Sequence, residues 1–173
     1  MNKTFRIVIS FVIIFLSTVT RGADDTTSKV KAVFVYNFTK YIEWPTAYKQ
    51  GNFVIGILGS SPIFNELNNM ALTKKAGTQP FEIKTFNNTG SISKCHILYV
   101  SEDYATIMKD ILAKIKGNNT LIVTEKPGLA KQGSAINFVV KDNKQKFELN
   151  KANAEKYDLK VSSNLESLGI KIE

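Results

Sequence analysis

The stretch Asn52-Phe53-Val54-Ile55-Gly56-Ile57-Leu58-Gly59-Ser60-Ser61-Pro62 decides the fold class. A short apolar run closed by glycine reads as a strand covered on both faces. Ser61 and Pro62 then open a helix, with Ser61 as cap and Pro62 at the first helical position. Ile63, Phe64, Leu67 and Leu72 supply its buried side. A doubly covered strand followed at once by a helix is the start of an α/β unit.

The pattern repeats downstream. Gln79 to Phe86 alternates, as a half-exposed strand near an edge does. Cys95 to Val100 is a second buried strand, and Ser101 caps a helix carrying Tyr104, Ile107, Met108, Ile111, Leu112 and Ile115 at helical spacing. Gly117 stands where a left-handed helix terminus belongs. Thr120 to Thr124 is a third buried strand. Ser134–Val140 and Lys144–Leu149 form a hairpin turning at Asp142-Asn143. Asn150 starts a short helix through Tyr157, Lys160 to Ser162 is a further short strand, and a helical turn around Leu165 precedes Ile170-Lys171-Ile172. The expected architecture is a Rossmann-like three-layer α/β sandwich. Its sheet is mostly parallel, with the antiparallel hairpin at one edge.

Upstream, Lys29 to Glu43 carries Val30, Val33, Phe34, Phe38, Tyr41 and Ile42 at helical spacing. Ser28 is its candidate cap, and Trp44-Pro45 its stop. Val35 and Tyr36 widen the apolar surface beyond one stripe, so this helix is buried on both sides or covers a partner. Five aromatic rings fall between Phe34 and Trp44. Tyr36, Tyr41 and Trp44 are the candidate partner-binding residues, because aromatic side chains are enriched in interface cores.

The N-terminus reads as a secretory signal peptide over residues 1–22. Lys3 and Arg6 precede an apolar run from Ile7 to Leu16, and small residues follow up to Gly22. Residues 23–28 read as a loose polar tail, and 29–173 as one domain. The whole chain has 173 residues, 43% apolar and 22% charged, with a net charge of +8. Removing residues 1–22 takes away Lys3, Arg6 and Arg21, hence every arginine, and leaves +5. A chain without the arginine fork is poorly equipped to read bases or grip phosphates, so no nucleic-acid partner is expected.

One cysteine and one histidine exclude a disulfide framework and ordinary zinc sites. Cys95 and His96 are neighbours on a strand and point to opposite faces, so they do not pair for catalysis. Cys95 reads as a small buried hydrophobe, with a cross-chain disulfide or reactive thiol as alternatives; His96 reads as structural. No paired carboxylates suggest a calcium loop or a glycosidase. An enzyme is not expected, and neither is a cofactor or a metal. Gly59, Ser60 and Ser61 form a candidate ligand loop at the carboxyl end of the first buried strand, where open α/β sheets bind ligands. It lacks the third glycine of a dinucleotide motif and the lysine of a P-loop.

Lys31-Ala32-Val33-Phe34-Val35-Tyr36-Asn37-Phe38-Thr39-Lys40-Tyr41-Ile42-Glu43-Trp44-Pro45 resembles the opening of the YfiR family, the DUF4154 domain. Phe53–Gly59, Cys95-His96-Ile97-Leu98-Tyr99-Val100-Ser101, Gly133–Val139 and Lys146–Asn150 resemble later family segments in the same order. Ser162-Ser163 with Leu165 and Leu168 resembles its tail. The resemblance implies an exported, periplasmic, non-enzymatic regulator that binds an inner-membrane signalling protein, a cyclase or a kinase. The namesake inhibits a diguanylate cyclase, and so acts in cyclic-di-GMP signalling; an outer-membrane lipoprotein relieves it. Some family members pair several cysteines, which a chain with Cys95 alone cannot do internally. The alternative reading is a periplasmic small-ligand-binding sensor. A homodimer is also in view, from the apolar helix and the hairpin edge.

Overall fold

The computed structural model describes residues 20–173. The signal-peptide reading of residues 1–22 lies, up to residue 19, outside the described residues. Helix α1, Thr20–Tyr41, opens the described chain. Residues 23–28, expected as a loose tail, belong to this helix. Ser28 is buried within it rather than capping it. Once the packed turns of α1 exist, each added residue gains one hydrogen bond for one residue fixed, so the helix propagates backwards.

The main sheet has eight strands in the order β10-β8-β7-β6-β5-β2-β4-β3. The parallel centre is β2 (Phe53–Leu58), β4 (Gln79–Phe86), β5 (Ile97–Val100), β6 (Leu121–Thr124) and β7 (Ile136–Lys141). β8 (Lys144–Leu149) runs antiparallel to β7, from Ile136 opposite Leu149 to Lys141 opposite Lys144. Asp142 and Asn143 both take left-handed angles, φ 54° and 56°, which is the two-residue turn that matches strand twist. The hairpin is not the outermost element: the two-residue β10, Ile170–Lys171, pairs in parallel with Glu148 and Leu149. At the other edge β3, Lys75–Ala76, folds back on the start of β4. A second, two-stranded sheet pairs β1 (Ile42–Glu43) with β9 (Lys160–Val161). The first helix therefore ends at Tyr41, and two residues before Pro45 are drawn into this pair instead.

Alternation along the strands divides the core in two. Ile55, Ile57, Ile97, Tyr99, Leu121, Val123 and Phe138 face α1, with α2 (Ile63–Ala71) and α5 (Ser163–Leu168) beside it. Leu58, Leu98, Val100 and Ile122 face α3 (Met108–Ile115), whose Met108, Ile111 and Ile115 are buried. Gly56 lies on the α3 side, where a Cβ would meet the Phe86 ring at 2.5 Å. The α3 region differs from expectation in one respect. Glu102–Ile107 is a 3₁₀ segment, and Ser101 begins it without a side-chain capping bond. α4, Lys151–Glu155, is capped by Asn150, whose side chain accepts from the Asn153 N–H at 3.0 Å.

α1 docks through its aromatic rings. Phe34 and Phe38 lie 5.5 and 5.2 Å from Phe147, edge to face, and within about 6 Å of Phe138. The buried stripe is Ala32, Val35, Phe38 and Ile42, so the expected stripe is rotated. Val30 and Val33 face outward, Val33 being 59% exposed. α2 likewise buries Ile63 and Leu67 but leaves Phe64 and Leu72 outside, Leu72 at 84% exposure. Phe38→Ala is expected to cost about 3–5 kcal/mol, the range for emptying a buried aromatic site. Denaturant unfolding with an unchanged slope and a lower midpoint would report it.

Candidate functional site

The three candidate partner-binding aromatics do not converge. Trp44 is a core residue, 5% exposed, and this corrects its assignment to a partner surface. Its indole packs edge-on against Phe53 at 5.0 Å and donates Nε1–H to the His96 carbonyl at 3.2 Å. α1 has already ended at Tyr41, Pro45 keeps Trp44 out of helical geometry, and the turn that follows, Thr46–Tyr48, buries Tyr48 as well.

His96 sits at the centre of that cluster. Its ring stacks on Phe53 at 4.2 Å and meets Tyr48 edge-on at 5.2 Å. The Val54 N–H donates to Nδ1 at 3.0 Å, and Nε2–H donates to the Tyr48 carbonyl at 2.7 Å. Both ring nitrogens are spent on backbone, which fixes the neutral Nε2–H tautomer. Burial holds its pKa below the ordinary histidine value. Cys95 points to the opposite face, among Phe86 and Leu98. Burial pushes its thiol up to about 12, so at neutral pH it is neither a nucleophile nor an exposed disulfide partner.

Tyr36 and Tyr41 are half-buried and lie on different faces. Tyr41 borders a shallow depression with Lys40, Glu43 and Lys160, and its carbonyl accepts from the Ser162 N–H at 2.9 Å. Tyr36 packs edge-on against Phe81 under the Lys40 ammonium, 4.2 Å from its ring. It forms one end of a groove of about 290 Å³ between α1 and α2, floored by Ala32 and Met70 and flanked by Val33 and Lys74.

The candidate ligand loop stands elsewhere, at the carboxyl ends of β2 and β5. The chain leaves β2 for β4 on one side and later returns to β5 on the other, so the strand order reverses there. Gly59 takes φ +88°; a Cβ on it would lie 2.2 Å from the Ser101 hydroxyl and 2.7 Å from the Tyr104 ring. Ser60, Thr85, Asn87 and Tyr104 border an open cleft of about 740 Å³. Ser61 is half-buried and borders the same cleft, and its hydroxyl accepts from the Ile63 N–H at 3.4 Å. The Tyr99 hydroxyl donates to Glu125 Oε2 at 2.5 Å, and Lys31 Nζ of α1 donates to the same oxygen at 2.5 Å. Burial first, then the Glu125 charge, push the Tyr99 hydroxyl pKa up. Nothing in the local sequence pattern marks this relay, because Lys31 and Glu125 are 94 positions apart. Among the described residues no group of three or more potential metal ligands gathers, and no helix is long and apolar enough to cross a membrane.

This arrangement is an α/β domain with an aromatic helix clamped on one face, and a family model described as DUF4154, YfiR/HmsC-like, matches residues 28–169. The chain belongs to the YfiR/HmsC-like family. No curated protein matches it. Among solved structures, the ABC domain from Streptococcus pneumonia, in complex with L-Trp, is similar with a TM-score of 0.55 at 11% identity. The similarity covers 80% of this chain and 59% of that one, so this chain spans less than two thirds of that domain's length. The likeness is one of α/β fold.

Two outcomes are expected. The unfolded chain takes up a proton on His96 below about pH 6.5, while the native ring resists it. Stability therefore falls as pH drops from 6.5 toward the lowered native value, by at most about 1.4 kcal/mol per unit. Denaturation midpoints at pH 7.5 and pH 5.5 measure it, and His96→Gln flattens that slope. Lys31→Met leaves the Glu125 carboxylate largely buried beside Tyr99. It should cost about 2 kcal/mol, less than for a fully enclosed pair, and Glu125→Gln on the same background should recover part of the loss.

Proposed function

We propose that this protein is an exported, non-enzymatic regulator that binds the extracytoplasmic part of a membrane-bound signalling enzyme. The reading rests on membership of the YfiR/HmsC-like family. A diguanylate cyclase of the inner membrane, in cyclic-di-GMP signalling, is the first partner class, with a kinase as the second. The periplasm is the proposed compartment, reached through cleavage of residues 1–22. An outer-membrane lipoprotein that relieves the interaction, and a homodimer, belong to the same proposal.

One observation supports the α1–α2 groove as the docking face. Val33, a largely exposed apolar side chain, lines it on α1 with Tyr36 half-buried beside it, and the exposed Leu72, just past the end of α2, is next in sequence to the lining Thr73. Exposed apolar groups clustered on a rigid helix pair mark interaction sites more often than isolated ones do. Tyr41 belongs to a different face and is a secondary candidate.

The test places a photocrosslinking residue at position 33, and separately at position 140 on the hairpin, in intact cells. Capture at 33 but not 140 of an inner-membrane protein with a cyclase or kinase domain is the expected outcome. With the crosslinker kept at 33, Thr73→Glu and Lys74→Glu, at exposed positions lining the groove, should keep the fold, judged by an unchanged melting temperature, and weaken that capture roughly tenfold or more. Wild-type capture by both variants would remove the groove from the reading.

A further inference from the structure

The cleft at the strand-order reversal is not needed for docking on α1 and α2. We infer that it is a binding site for a small uncharged, hydroxyl-rich ring, of the size of a mono- or disaccharide. Its place is the one where open α/β sheets hold ligands, outside the carboxyl ends of adjacent strands whose connections depart in opposite directions. Its volume, about 740 Å³, falls within the roughly 300–1,000 Å³ of ligand pockets.

The chemistry of the walls selects the ligand. The whole sequence holds 23 basic and 15 acidic residues, yet among the described residues no charged side chain borders this cleft. A charged ligand entering it would lose hydration without meeting a countercharge. The polar groups that do border it are Ser60, Ser61, Asn65, Thr85 and Asn87, beside the Tyr104 ring. Hydroxyls and amides both donate and accept, as the hydroxyls of a sugar require. Two rings, Phe64 and Tyr104, supply apolar walls, and Phe64 is exposed at the start of α2 where its burial in a core was expected. The Tyr104 ring is held in place because its hydroxyl donates to the Asn87 carbonyl. Behind Gly59, outside the lining of the cleft, the Ser101 hydroxyl is buried and has no hydrogen-bond partner among the described residues. Folded chains seldom leave such a group unspent.

The site absorbs Gly59, Ser60 and Ser61 with different roles. Gly59 permits the close approach to Ser101 and Tyr104. Ser60 and Ser61 both border the opening, and Ser61 also accepts from the Ile63 N–H at the start of α2.

The experiment titrates the purified protein with glucose, N-acetylglucosamine and maltose by calorimetry and saturation-transfer NMR, with inorganic phosphate and acetate as charged comparators. At least one neutral sugar should bind. Ser60→Trp, at an exposed position that leaves the fold intact by circular dichroism, should weaken it roughly tenfold or more by filling the cleft. The milder Thr85→Ala and Asn87→Ala should weaken it less. The inference is overturned if no neutral sugar binds at tens of millimolar, if Ser60→Trp binds like wild type, or if only phosphate or acetate binds.

Discussion

Four phenylalanines hold the architecture together. Phe34 and Phe38 on α1 interlock with Phe138 and Phe147 on the hairpin. The ladder between the hairpin and β6 has two residue pairs, Val123 with Ile136 and Thr124 with Asn137, extended by the Ala135 N–H donating to the Ile122 carbonyl. Its position relative to the parallel centre is therefore set as much by these rings as by backbone hydrogen bonds. Because aromatic pairs prefer offset and edge-on contacts, the interlock fixes the rotation of α1 as well as its distance from the sheet. That rotation puts Lys31 over Glu125 and turns Val33 outward.

From that placement two separate surfaces emerge. One is the α1–α2 groove, apolar and rimmed by lysine. The other is the cleft above β2 and β5, polar and without charge. The relay Tyr99–Glu125–Lys31 runs from the strand β5, whose carboxyl end borders the second, to the helix that bears the first. It crosses the sheet's carboxyl end through partly or wholly buried groups, where electrostatic interactions are strong and unmatched groups are costly.

Much of the fold was legible in the sequence. The buried strands at 53–58, 97–100 and 121–124 announce themselves as apolar runs, and Asp142-Asn143 announces its turn, because these signals are local. The rotation of α1 was not legible. Val30 and Val33 obey the same helical spacing as the buried residues, and only the partner rings on the hairpin decide which stripe turns inward. Trp44 was misplaced for a related reason. An aromatic residue beside a proline looks the same whether it faces water, a partner or its own sheet, and the answer depends on His96, 52 positions away. The ligand loop was visible as a glycine followed by two serines. The uncharged walls opposite it were not, since Thr85, Asn87 and Tyr104 come from two other strand ends.

The sheet's margins have a consequence for behaviour at high concentration. β3 shields only the start of β4, and β10 only the end of β8. The lengths left bare carry Glu82 and Lys84 on one side and Lys144 and Lys146 on the other. Bare strands recruit one another into fibrils unless charged side chains and brevity prevent it. Here the shielding is spent on the segments with fewest charges, and lysines guard the rest. A chain crowded among its own copies is thereby kept from growing sheet upon sheet.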